Sequence, residues 1–242
     1  MIFRLLTLFP EAFEGYLSSS ILGKALDAGK LHVDLTDIRD FARDKHRNCD
    51  DGTYGGGAGM VLKPEPLAAA LDSLAPSGKR IIYLTPSGRL YNQALAEELS
   101  QEQEVIIICG RYEGIDQRII DLYVTDEISV GDYILSSGET AAKIIIDSVS
   151  RLIEGVINQE SLEEESFASG LLEYPQYTRP QDFRGQRVPE ILLTGHHENI
   201  RKWRLKKSLK KTLKVRPDLF KQIQLSEEEK KLLEEIITEE DV

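Results

Sequence analysis

Two cysteines in 242 residues, Cys49 and Cys109, are too few for a disulfide framework, and no CxxC or His/Cys cluster suggests zinc. Of the four histidines, His196 and His197 are adjacent, so they do not share a helix face and make a poor metal pair. No apolar run approaches the roughly 20 residues that cross a bilayer, and Met1-Ile2-Phe3-Arg4 has no basic region ahead of an apolar one. These absences point to a cytoplasmic chain with reduced thiols and no membrane partner: Cys109 a buried thiol in an apolar strand, Cys49 in a polar loop. The glycines near residue 57 are not followed by Gly-Lys-Ser/Thr, so there is no Walker A loop. No GxGxxG opens a helix after a strand, which leaves a dinucleotide reading weak. No internal repeat is visible.

What is present is ordinary in bulk and uneven in detail. Hydrophobic content of 41% and charged content of 29% are those of a globular protein with a sizeable core. The net charge of −11 argues against nucleic acid, but its distribution does not. Arg201, Lys202, Arg204, Lys206, Lys207, Lys210, Lys211, Lys214, Arg216 and Lys221 make one basic stretch. Acidic residues from Glu227 onward reverse its sign, so the net figure hides a local basic face.

Residues 1 to about 152 alternate strand-like and helix-like segments. Strands are expected at Ile2–Leu8, Leu31–Ile38, Arg80–Leu84, Val105–Cys109 and Tyr133–Leu135. Helices are expected at Ser20–Ala28, Pro66–Leu74, Asn92–Ser100, Asp116–Leu122 and Glu139–Ile153. This alternation predicts an α/β layer structure with a mostly parallel sheet, and the continuous apolar strands predict burial on both faces. The expected domains are 1–157, an acidic mobile linker over 158–169, and a helical unit over 170–242. In the last, helices are expected at Glu198–Val215, Pro217–Gln222 and Ser226–Thr238, with Ser226 and Glu229 forming a capping box. The Pro/Tyr/Arg/Gly-rich stretch 170–188 reads as extended.

Two apolar runs end in glycine turns: Val105-Ile106-Ile107-Ile108-Cys109-Gly110-Arg111-Tyr112-Glu113-Gly114, and Ile128-Ser129-Val130-Gly131-Asp132-Tyr133-Ile134-Leu135. Glycine lets the backbone approach a ligand closely, so the pair suggests a small-molecule pocket built mainly of main chain. A third glycine cluster, Gly55-Gly56-Gly57-Ala58-Gly59, follows Asp50-Asp51 and Tyr54. Such a loop is either flexible or held in unusual dihedrals around a ligand.

These motifs stand in a recognisable order. Asp50-Asp51…Tyr54-Gly55-Gly56-Gly57…Gly59-Met60, Cys109 to Gly114 and Val130 to Leu135 are followed by Tyr174-Pro175-Gln176-Tyr177-Thr178-Arg179-Pro180. Gly195-His196-His197-Glu198…Ile200-Arg201…Trp203-Arg204 completes the set. Together they resemble, nearly end to end, the bacterial tRNA (guanine-N1)-methyltransferase family.

The resemblance implies a deep trefoil knot forming an S-adenosylmethionine pocket, which no general folding rule would suggest. It implies a homodimer with each active site between subunits, acting on the guanosine just 3′ of the anticodon when another guanosine precedes it. The partner is then the tRNA anticodon stem-loop and not DNA. The cofactor residues it implies are Tyr83, Leu84, Pro86, Gly110, Glu113, Val130, Gly131, Asp132, Tyr133, Ile134, Leu135 and Gly138, with Leu84, Ile134 and Leu135 around the adenine. The substrate residues it implies are Asp50, Tyr54, Gly55, Arg111, Arg201, Lys206 and Lys210. Magnesium is implied by resemblance alone; the Asp50-Asp51 pair belongs near guanine N–H groups or such an ion.

Methylation at guanine N1 needs a base for the N1 proton and stabilisation of charge moving onto O6. Arg151 matches the family arginine of the second role. The family has aspartate before Ser-Phe, whereas Ser166-Phe167 follows Glu165; Glu165 is the expected base, with Glu164 its rival. Ser137 stands where the family usually has glycine. Trp203 serves either as a base-stacking surface or as a buried helix anchor. Two other classes compete, a knotted ribose 2′-O-methyltransferase and an RNA-binding relative without turnover.

Overall fold

The computed structural model describes residues 1–158, 165–221 and 223–240. The chain divides into two compact units, residues 1–158 and 159–242. In the first unit, strands β1 (Ile2–Thr7), β2 (His32–Asp37), β3 (Asp50–Gly52), β4 (Met60–Leu62), β5 (Arg80–Leu90), β6 (Glu104–Ile108) and β7 (Asp126–Ser129) occur with helices. The helices are α1 (Glu14–Leu17), α2 (Ser20–Asp27), α3 (Pro64–Ser73), α4 (Gln93–Ser100), α5 (Gln117–Tyr123) and α6 (Gly138–Ser150). The main sheet has the order β2-β1-β6-β5-β7 and its pairings are parallel.

Why these strands are continuously apolar is plain from their packing. Phe3, Leu5, Ile82, Leu84, Val105, Ile107 and Cys109 point into one core with residues of α2, α4 and α6. Leu6, Leu8, Ile81, Tyr83, Ile106 and Ile108 point into a second core with residues of α3 and α5. Successive residues of a strand face opposite sides, so a sheet covered on both faces needs apolar residues at every position.

Two expectations are corrected here. Tyr133–Leu135 is not a strand; the fifth main-sheet strand is β7, and residues 130–137 leave it as an irregular loop. The strand of the second glycine run therefore ends at Ser129, two residues before Gly131, whose φ is +156. Cys49 is fully buried in the second core, since its polar neighbours lead into β3 while its own side chain turns inward.

In the second unit, β8 (Asp182–Phe183) and β9 (Gln186–Arg187) form a small hairpin, followed by α7 (His197–Val215), a 3-10 turn over Pro217–Lys221, and α8 (Glu227–Glu240). Gln222, the expected end of the middle helix, lies outside the described residues. Leu205, Leu209 and Leu213 of α7 pack with Leu232 and Ile236 of α8 and with Leu171. The capping box forms: Ser226 N–H donates to Glu229 Oε2 at 2.7 Å, and Glu229 N–H donates to Ser226 Oγ at 3.3 Å.

Candidate functional site

The carboxyl ends of β5, β6 and β7 open onto a cavity of about 230 Å³, the edge at which open α/β sheets bind ligands. Its first wall is an interruption of β5. Leu84 and Arg89 both register against Ile128, so Thr85-Pro86-Ser87-Gly88 loop out between them. The second wall is the turn Gly110–Gly114 after β6, and the third is the loop after β7. Tyr83, Leu84, Pro86, Gly110, Glu113, Val130, Gly131, Tyr133, Ile134, Leu135 and Gly138 all line the cavity. Asp132 is exposed and does not line it. Ile134 is 81% exposed at the rim, so an apolar side chain stands in solvent beside an open cavity.

Thr85, between Leu84 and Pro86, and Tyr112, Ser129, Ser136 and Ser137, within or beside the two glycine runs, line the cavity too; Ala141 of α6 is a wall that no motif marked. Arg111, expected at the substrate, lines the cavity as well.

Close approach explains the glycines. Gly138 N–H donates to Gly110 O at 2.9 Å, seating the first turn of α6 on the end of β6. Tyr83 lies beneath, with Cε2 2.9 Å from where a Cβ on Gly110 would stand. Burial pushes the Tyr83 phenol up from its ordinary value, against hydrogen bonds with Ile115 and Thr85, so it stays protonated. Burial raises the Cys109 thiol far more, and the charge of Glu139 adds to it; Cys109 is core, not a nucleophile.

A buried charge cluster stands behind the third wall. Glu139, 2% exposed, accepts from Thr7 Oγ1 at 2.6 Å, and Phe9 N–H donates to the same hydroxyl at 2.9 Å. Arg111 Nε lies 3.8 Å from Glu139 Oε2; its Nη1 donates to Ser136 O at 3.1 Å, and its guanidinium sits 4.2 Å over the Phe9 ring.

The glycine-rich loop is the tip of the antiparallel hairpin β3–β4. The hairpin rests on the second wall: Leu62 N–H donates to Gly114 O and Glu113 N–H donates to Met60 O, both at 3.0 Å. Tyr54 is fully exposed and Gly55 is exposed with φ +86. Asp50 and Asp51 are successive strand residues, so their carboxylates leave opposite faces and do not make a paired site. Among the described residues no group of three or more His, Cys, Asp or Glu could hold a metal ion. The described donors therefore offer no all-protein cage for magnesium.

Arg151 caps the far end of α6. Ten residues separate it from Ala141 at the cavity, which at 1.5 Å per residue is about 15 Å of helix. Glu165 belongs to the second unit, half-buried; its rival Glu164 lies outside the described residues. On α7, Arg201 pairs with Glu198 and Glu228, Lys206 with Glu235, and the Lys211 ammonium donates to Glu173 O at 3.0 Å. Lys207 sits 5.6 Å over the half-buried Trp203, whose ring also meets Tyr177 at 6.3 Å. The basic face is thus partly spent within its own unit. Lys210 is half-buried.

Comparison with known proteins gives this arrangement a context. Residues 1–222 match the family model described as tRNA (guanine-1)-methyltransferase TrmD. A tRNA (guanine-N(1)-)-methyltransferase of Treponema denticola is 64% identical over 220 residues, 91% of this chain and 90% of that protein. The proteins of the same name from Borreliella burgdorferi and Caldicellulosiruptor saccharolyticus are 58% and 55% identical, covering 91% and 95% of this chain and 93% and 94% of their own.

Proposed function

The chain belongs to the tRNA (guanine-1)-methyltransferase family, and from that premise we propose that it methylates N1 of the guanosine immediately 3′ of the tRNA anticodon. The observation that carries the reading is the cavity of glycine turns at the carboxyl ends of β5–β7, in a chain that matches the family over residues 1–222.

S-adenosylmethionine is the methyl donor in this reading, and it supplies an electrophilic methyl group. The fit rests on the lining: Gly110, Gly114, Gly131 and Gly138 bring side-chain-free main chain to the cavity. Leu84 and Leu135 offer apolar surface, while the exposed Ile134 and Tyr133 stand ready to cover a ligand. The trefoil threading belongs to the same reading and rests on the family match.

Guanine N1 carries a proton that must leave as the methyl arrives. Glu165 accepts it, and the Arg151 guanidinium stabilises charge on O6. The separation of Arg151 from the cavity along α6 supports a homodimer, in which a second copy brings that arginine to the pocket. The second unit grips phosphates with α7 and sets affinity more than base choice. Two unpaired buried thiols, Cys49 and Cys109, fit a reducing, cytoplasmic setting.

A single-turnover assay tests this. Unmodified tRNA transcript with guanosines at the target and preceding positions should gain one methyl group at N1. Replacing the target guanosine should abolish transfer. Methylation of a ribose hydroxyl, or binding without transfer, would overturn the reading.

A further inference from the structure

We propose that Glu139 is a positioning residue for the cofactor pocket: it holds Arg111 so that the guanidinium clamps the Ser136 carbonyl and fixes the third wall. The inference rests on the reading of that pocket as the S-adenosylmethionine site.

Burying a carboxylate is costly unless something holds it. At 2% exposure, Glu139 sits in the first turn of α6, where the helix dipole favours an anion and the Thr7 hydroxyl donates to Oε1 at 2.6 Å. Neither contact needs a full negative charge; a glutamine would accept the same hydroxyl bond. What calls for the charge is Arg111. Its Nε lies 3.8 Å from Oε2, and neither atom has a hydrogen-bond partner. The other end of the guanidinium donates to Ser136 O at 3.1 Å, in the loop that forms the third wall.

The chain of contacts therefore runs from the end of β1 through Thr7, Glu139 and Arg111 to Ser136. It ties an irregular loop, which has no ladder of its own, to the rigid sheet. The 3.8 Å gap is slightly longer than a hydrogen bond. A ligand pressing the loop inward shortens it, so ligand binding and closure of the pair favour each other by linkage. Arg111 then serves the methyl donor through the loop and not the RNA phosphates.

Isothermal titration with S-adenosylmethionine, and separately a tRNA filter-binding assay, test this on the full chain. Glu139→Gln should weaken S-adenosylmethionine binding about tenfold, the scale of one charge-assisted contact, while tRNA affinity stays at the wild-type value. Arg111→Lys keeps the charge but loses the planar fork, and should weaken it similarly. The double variant should be no worse than the worse single one. Should Glu139→Gln fail to fold, Thr7→Val and Thr7→Ser replace it: the valine should weaken binding and the serine, which keeps the hydroxyl, should restore it. Wild-type affinity in Glu139→Gln, additive losses, or a loss confined to tRNA overturns the positioning role. A wild-type chain that binds no S-adenosylmethionine overturns the pocket reading along with it.

Discussion

A Cβ on Gly138 would stand 2.5 Å from the backbone nitrogen of Gly110 and 2.8 Å from the carbonyl carbon of Cys109. Helix α6 thus begins in direct main-chain contact with the end of β6, and no side chain at 138 can yield to relieve it. Gly138→Ala should push the helix off the sheet. We expect a loss of about 1–3 kcal/mol of stability in a denaturant titration, as for other overpacked sites, and loss of most S-adenosylmethionine binding. Full stability with intact binding would show that the helix start is free to shift.

Asp126 ties the two strands that frame the cavity. It takes a bidentate pair from Arg80, both contacts at 2.9 Å, and a third contact from Arg89 at 2.6 Å. Burial alone would raise its carboxyl, but the contacts from Arg80, Thr125 and Arg89 outweigh that and hold it below the ordinary value of 3.8. A depressed carboxylate stabilises the fold above its unfolded value and loses that contribution as pH falls through the folded one. Asp126→Asn should therefore cost about 2 kcal/mol near neutral pH. The gap to wild type should close as pH drops below the ordinary carboxylate range. Unfolding midpoints measured from neutral to acid pH check this, and a gap constant with pH would remove the charge from the explanation.

The parallel sheet was legible because strands buried on both faces must be apolar throughout, and Val105-Ile106-Ile107-Ile108 can hardly be anything else. The second glycine run misled at Tyr133–Leu135. Its apolar residues are β-like in composition, yet they line a cavity and stand partly in solvent, a state that periodicity does not encode. The bulge in β5 and the Arg111 contact with Ser136 were not legible for a related reason, since both are set by tertiary register. Motif likeness pointed to Gly110, Val130 and Gly138, and the cavity gathers all three. It pointed equally to Asp132, which is exposed and does not line the cavity. The pairing of Arg201 and Lys206 of α7 with Glu228 and Glu235 of α8 was hidden because charge counts along a chain carry no information about which helices pack.

Glu165→Gln should abolish most turnover and leave S-adenosylmethionine binding unchanged, because an amide cannot take the N1 proton. Glu165→Asp restores the residue that the family pattern carries and should remain active. Single-turnover rates on a tRNA transcript, beside calorimetric binding of the methyl donor, separate chemistry from affinity. An active Glu165→Gln with an inactive Glu164→Gln would transfer the role to the neighbour.

Arg151→Ala should slow methyl transfer by roughly 2–4 kcal/mol of transition-state stabilisation, the range for losing one oxyanion donor. Its place at the end of α6, beyond the buried Val149, means that little core is lost. Mixing this variant with a Glu165→Gln chain tests the dimer. If one complete site forms in the heterodimer, activity should partly return, whereas no recovery at any ratio would place both residues on the same side of one site.

The lysines of α7 should not contribute equally to tRNA binding, and the structure ranks them. Lys206 already pairs with Glu235 at 3.1 Å, and Lys211 donates to the Glu173 carbonyl. Each must give up an internal partner before it can neutralise a phosphate. Lys207 and Lys214 are exposed, and the Lys207 ammonium lies 5.6 Å from the Trp203 ring, a contact that does not neutralise its charge. Lys207→Gln with Lys214→Gln should lower the slope of log affinity against log salt by about 0.7–0.9 per residue, equally for cognate and non-cognate tRNA. Lys206→Gln should lower it less. Slopes unchanged from wild type in all of these variants would mean that phosphate contacts lie elsewhere and that α7 is only a solvated helix face; slopes lowered equally would overturn the ranking.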